Sequence, residues 1–163
     1  DIGGGTTEIA VIALGGIVCN QSIRVAGDVF TAEIQQYMRH QHNIKIGERT
    51  AEDIKICVGS ALSELDNPPE PMQEIAHCLD KSLVKIETAV LSVLEQTPPE
   101  LYSDIVQRGI FLTGGGALLR GVDKRLQDKI NIPFHISEGP LHSVARGTGI
   151  ALKNIGKFPF LLR

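Results

Sequence analysis

The chain has 163 residues, 42% of them hydrophobic, and a formal net charge of −3, enough for one domain or two small subdomains around a sizeable core. The composition carries no basic footprint, which argues against a nucleic-acid partner. No apolar run approaches the roughly 20 residues of a membrane-spanning helix, and no signal peptide is expected. Cys19, Cys57 and Cys78 are odd in number and form no CxxC pair, so the expectation is reduced, buried thiols in a cytosolic protein.

The chain opens on Asp1-Ile-Gly-Gly-Gly-Thr-Thr-Glu8. With no strand ahead of the motif, the expectation is a molecule that starts in the middle of something larger. Thr7 to Leu14 is apolar on both faces, as a strand covered on both sides would be. Gly15-Gly16 permits the positive φ angles of a two-residue hairpin turn. Ile17 to Val25 returns with Ile17, Cys19, Ile23 and Val25 on one face and Asn20, Ser22 and Arg24 on the other. Asp28 is placed to cap the next helix, whose stripe is Phe30, Ile34, Tyr37 and Met38. Thr50 and Asp53 resemble a capping box for a second amphipathic helix through Ile54, Cys57, Val58, Ala61 and Leu62. Asn67-Pro-Pro-Glu-Pro71 breaks regular structure.

The longest helix follows, with Ile75, Leu79, Leu83, Ile86, Val90, Val93 and Leu94 as its stripe. Thr97-Pro-Pro-Glu100 ends it and reads as a Thr-capped start to a short helix, which Gly109 terminates. Ile110 to Thr113 is expected as a buried strand. A second triple glycine, Gly114-Gly-Gly116, feeds a helix through Leu118, Leu119, Val122 and Leu126. Pro133 to Ser137 is a short strand and Leu141 to Leu152 a last helix. The pattern is α/β, beginning with a hairpin and ending β-α-β-α.

Glycines let a backbone approach phosphate closely and offer it N–H donors. Gly3-Gly4-Gly5 precedes no Lys-Ser/Thr, so it is not a P-loop. A strand follows it, so it is not the dinucleotide fingerprint, which needs a helix N-terminus. In a third arrangement Gly3 to Thr6 would clasp phosphates, and Asp1 beside them would hold Mg²⁺ through water. A plain hairpin start with a glycine bulge is the bland alternative, as a tight strand-to-helix corner is for the second triple glycine. Two such turns together suggest one nucleotide gripped from two sides.

These motifs, with Arg24-Val-Ala-Gly-Asp28, Ala51-Glu-Asp-Ile-Lys55, Pro98-Pro-Glu-Leu101, Leu112-Thr-Gly-Gly-Gly-Ala-Leu-Leu-Arg-Gly121 and Val144-Ala-Arg-Gly147 in order, resemble the MreB family of bacterial actin-like rod shape-determining proteins. The resemblance covers the second half of such a protein, subdomains IIA and IIB. It implies an actin-like ATPase (ribonuclease H-like) fold: a mixed sheet starting with an antiparallel hairpin and flanked by helices, plus a small truncated subdomain. Residues 1–46 and 72–163 would form the core subdomain IIA, and 47–71 a remnant of IIB. Cofactors would be ATP and Mg²⁺. Gly3, Gly4, Gly5 and Thr6 would form the second phosphate loop, and Asp1 would belong to the Mg²⁺ site. Glu52 and Lys55 would approach ribose and base, with Gly114, Gly115, Gly116, Ala117 and Leu118 as the adenosine-side turn. From spacing alone, Glu52 and Lys55 read only as solvated charges.

The family's first half, with its other phosphate loop and the acid that positions water, is absent, so no catalytic residue is assigned and hydrolysis is expected of the full-length protein alone. The strand-rich stretch usual between the helices ending near Leu62 and starting near Met72 is also missing. It is either deleted or a loop left out near 68–72, the second being preferred. The resemblance further implies self-association into filaments and partnership with cell-shape and wall-synthesis membrane proteins. It also implies a cytoplasmic place at the inner face of the membrane, contacted indirectly or through the missing half. An Hsp70-type chaperone, a metabolite kinase and an FtsA-type division protein are the rivals. Against the first, Gly114 to Arg120 lacks that family's polar residues. Arg39-His40-Gln41-His42 reads as helix C-terminal cations rather than a metal site. The apolar tail Lys157 to Arg163 reads as packing on its own domain or fraying.

Overall fold

The computed structural model describes residues 1–64, 69–154 and 156. The tail from Lys157 and much of the Asn67-Pro-Pro break lie outside them. Strands β1 (Thr7–Ala13) and β2 (Gly16–Ile23) form an antiparallel hairpin. Helices α1 (Gly27–Gln41), α2 (Glu48–Val58), α3 (Glu70–Glu95) and α4 (Pro99–Arg108) follow. Then come β3 (Ile110–Leu112), a 3₁₀ turn (Gly115–Leu118), α5 (Val122–Ile130), β4 (Phe134–Ile136), a second 3₁₀ turn (Pro140–His142) and α6 (Ser143–Lys153). The expected mixed sheet is present as two two-stranded ladders, β1-β2 antiparallel and β3-β4 parallel.

Helix α3 is the spine. All seven residues of its expected stripe are buried, and all but Val93 join the core with Phe30 and Ile34 of α1, Leu126 of α5 and Phe134 of β4. A 3.6-residue repeat keeps such a stripe on one face for the whole helix. The hairpin packs on α3 through its inner side, Ile9 and Ile23.

Several local expectations are corrected. β1 alternates rather than being covered on both sides: Ile9 and Val11 are half-buried, while Ala10 and Ile12 are exposed, since only α3 backs the hairpin. The turn sits on Leu14 (φ 51°) and Gly15 (φ 76°), one residue earlier than Gly15-Gly16. Both positive angles match a primed turn, which follows strand twist. A bulge between Val11 and Ile12 then throws Ile17 outward, off the face of Cys19 and Ile23.

The caps differ too. α1 has no side-chain cap: Gly27 N–H donates to Gly3 O (3.1 Å) and Asp28 N–H to Gly4 O (2.8 Å). α2 starts at Glu48 after Gly47, ahead of the Thr50/Asp53 box, and ends at Val58, so Ala61 and Leu62 follow it as non-helical chain. The Thr97 hydroxyl donates back to Val93 O of α3 (2.8 Å) instead of capping α4. Phe111 is exposed, leaving Leu112 as the buried residue of β3. The second triple glycine leads into a 3₁₀ turn, and left-handed Gly121 separates it from α5. Cys57 is exposed and Cys19 and Cys78 only half-buried, against the expectation of buried thiols.

Candidate functional site

The two glycine turns lie side by side. Gly116 N–H donates to Ile2 O (2.8 Å) and Ile2 N–H to Thr113 O (2.8 Å), so the second turn clasps the start of the first. A Cβ on Gly116 would collide with the Ile2 side chain, and one on Gly114 (φ +83°) with Ile2 O and Asp1 Oδ1. Both glycines serve close approach, and Gly114 a backbone angle that other residues resist.

In the first loop Gly3 N–H closes a turn onto Thr6 O (2.9 Å), and the Gly3 and Gly4 carbonyls are taken by α1. The N–H groups of Gly4, Gly5 and Thr6 meet no acceptor among the described residues. Gly4 and Gly5 are exposed. Consecutive free N–H groups on a loop make an anion-binding concavity.

Helix α2 is held against this loop by a polar cluster. Lys55 Nζ lies 2.6 Å from Glu52 Oε2 and donates to Gly27 O and Thr31 Oγ1, each at 3.0 Å. The Thr31 hydroxyl lies 2.7 Å from the same Glu52 oxygen. The hydrogen bond from Lys55, then that from Thr31, hold the Glu52 carboxyl below its ordinary range against the opposing effect of burial. These residues are therefore no solvated pair: all three Lys55 donors are engaged, while one Glu52 oxygen has no protein partner among the described residues.

Beyond α2 the chain returns to the second turn. Ala61 N–H donates to Arg120 O (2.8 Å), and Ser60 bridges Arg120 in parallel. The first glycine loop, α1, α2 and the second turn thus close a ring around one cavity of about 540 Å³. Gly3, Gly4, Glu52, Lys55, Gly115, Gly116 and Leu118 line it. Gly5, Thr6, Gly114 and Ala117 do not: Ala117 is buried in the core and Gly114 is packed beneath, against Ile2.

Asp1 stands at the rear of the loop. Its Oδ1 accepts from the Thr113 hydroxyl (3.0 Å), and its Oδ2 points toward Gly3. Asp28, read from sequence only as a cap, lines the cavity with Oδ1 3.3 Å from where a Gly4 Cβ would sit. Its place directly after Val25-Ala26-Gly27 was the available signal. Cys57, Arg120 and Leu141 are further wall residues that spacing did not single out. No group of three or more His, Cys, Asp or Glu suited to a metal occurs among the described residues, and His42 Nε2 instead lies 3.2 Å from Glu74.

A family model described as MreB/Mbl protein matches residues 1–72 and 70–159. The chain belongs to the MreB/Mbl family. It is 46% identical to the cell shape-determining protein Mbl of Bacillus cereus, over 98% of this chain and 53% of the relative. It superposes with a TM-score of 0.90, at 39% identity, on the crystal structure of MreB5 of Spiroplasma citri bound to ADP, covering 96% of this chain and 53% of that one. The double helical filament of MamK matches with a TM-score of 0.74 at 19% identity, over 86% of this chain and 49% of that one, which speaks for the fold alone. The chain spans about half the length of the MreB/Mbl relatives it matches. The fold is actin-like, as the motifs implied.

Proposed function

We propose that these residues form one side of the ATP site of a filament-forming MreB/Mbl protein that maintains rod shape by organising wall synthesis. The observation that carries this is the convergence of both glycine turns and the Glu52–Lys55 pair on one cavity. Gly4, Gly5 and Thr6 receive phosphate on their free N–H groups, while Gly3 closes the turn onto Thr6 O. Glu52, through its free oxygen, and Lys55 meet the ribose and base, and the turn from Gly114 to Leu118 backs the adenosine. The similar MreB5 structure, bound to ADP, supports this reading.

Mg²⁺ fits the loop. The two carboxylates flanking it, Asp1 and Asp28, are oxygen donors of the kind Mg²⁺ takes through water. A phosphate beside them gains from a cation between, and Mg²⁺ when bound would neutralise that charge. Asp1 would hold it through water, its Oδ1 also accepting from the Thr113 hydroxyl. Hydrolysis belongs to the longer protein, whose other half supplies the opposing loop and the water-positioning acid.

The division into a core of residues 1–46 and 72–163 and a small unit of 47–71 is part of this reading. The family match breaks at 70–72, which supports a segment of the relatives being absent near 68–72. Partners are further copies of the chain and wall-synthesis membrane proteins, at the inner face of the cell membrane.

The test is electron microscopy of the longer protein with and without ATP. Nucleotide-dependent filaments are expected, and Gly4→Val should abolish them by filling the space before the loop. Filaments that still form and turn over with ATP in that variant would remove the loop assignment.

A further inference from the structure

The polar cluster behind the cavity is graded from inside to outside. Thr31 of α1 is 4% exposed, and the Lys55 and Glu52 side chains of α2 are 14% and 44% exposed. Helix geometry sets this order. Gly27 and Thr31 on α1, and Ala51 and Lys55 on α2, are each spaced i, i+4, so each pair shares a face. Gly27, Thr31 and Ala51 are buried.

The protons of the cluster follow from its distances. Lys55 spends its three on Glu52 Oε2, Gly27 O and Thr31 Oγ1. The Thr31 hydroxyl has one proton and two acceptors in reach, Gly27 O at 3.0 Å and Glu52 Oε2 at 2.7 Å. Gly27 O already accepts from Lys55, and the carboxylate is both nearer and charged, so the proton goes to Glu52. Thr31 thus accepts from Lys55 and donates to Glu52 at once. Two donors pin Oε2 from behind. Oε1, without a protein partner among the described residues, is left to a ligand in the cavity that Glu52 lines.

We propose that Thr31 is the positioning residue that makes this site select nucleotides carrying ribose hydroxyls. This rests on the proposed contact of Glu52 with the ribose. The diol of a ribose offers two donors, and a carboxylate receives them best when it is already held where they arrive. Thr31 supplies that hold through Glu52 and does not itself line the cavity. Valine has nearly the shape of threonine but neither donates nor accepts. In Thr31→Val, Glu52 keeps Lys55 but can turn about it, so a diol must first order the carboxylate before bonding to it. A nucleotide without the diol asks nothing of Glu52, and Thr31 is then silent.

The test is calorimetry on the longer protein with ADP and with 2′,3′-dideoxy-ADP, which carries the same phosphates and base. The unaltered protein should bind ADP about tenfold more tightly than the dideoxy nucleotide. Thr31→Val should bring the two to within about twofold of each other by weakening ADP alone. Thr31→Ala, which removes the hydroxyl without leaving a methyl group beside Lys55, should do the same. Thr31→Ser should restore the preference. A Val or Ala variant that keeps the preference would overturn the proposal. So would a variant that still unfolds cooperatively yet loses both nucleotides equally, since Thr31 would then be a packing residue, and so would a Ser variant that restores nothing. In these cases the proposed nucleotide site stands. Failure of the site itself looks different: the unaltered protein would bind neither nucleotide, or both equally, and the role of Thr31 would fall with that of Glu52.

Discussion

At Gly116 a methyl group would occupy the space of the Ile2 side chain. Ile2 is itself fixed on both sides by backbone hydrogen bonds to Thr113 and Gly116, so it has nowhere to move. Gly116→Ala should cost about 2–3 kcal/mol, read as a drop in the urea midpoint. Lys55 is testable through pH. The Glu52 carboxyl is held down first by its hydrogen bond from Lys55. A depressed carboxylate contributes stability above its unfolded pKa of about 4.3 and loses it as pH falls through the folded value. The wild-type urea midpoint should therefore fall between about pH 5 and pH 3. Lys55→Met should lower the midpoint at neutral pH and flatten that fall. An unchanged pH profile in the variant would mean that Glu52 is not held by Lys55.

Among the elements, Arg125 is the joint with most to lose. From α5 it reaches Glu87 Oε1 (2.6 Å) and Asp80 Oδ1 (2.8 Å) on α3 and the Ala61 carbonyl (3.1 Å) after α2. Glu87 is 3% exposed, so Arg125→Met strands a buried carboxylate and should cost about 3–5 kcal/mol. Adding Glu87→Leu should recover most of that loss, because both charges then leave together; chemical denaturation of the single and double variants measures it. The helices were legible where one face is apolar and the other is not, above all in α3, whose seven stripe residues are all buried. Their starts were not legible. Sequence signals for capping assume a side chain, whereas α1 spends its first N–H groups on the Gly3 and Gly4 carbonyls, from a loop more than twenty residues earlier. The hairpin turn moved by one residue because Leu14 accepts a left-handed angle that Gly16 was expected to supply. The two glycine turns announced themselves through composition. Glu52 and Lys55 came only with the family resemblance, since the partners that organise them, Thr31 and Gly27, belong to another helix.

For the molecule as a whole, the open side of the cavity sets the affinity. Micromolar binding needs about 8 kcal/mol. Among the described residues the loop offers three unpaired N–H groups, and Lys55 has every donor already in use. Calorimetry should therefore find weak or undetectable ATP binding by the 163-residue chain and tight binding by the longer protein. Micromolar binding by the chain alone would remove the two-sided reading of the site. The single residue Gly27 also acquires a mechanical meaning. Its nitrogen holds Gly3 and its oxygen holds Lys55, so the loop and α2 hang from one rivet. A displacement of either the loop or α2 would therefore reach the other through the first turn of α1.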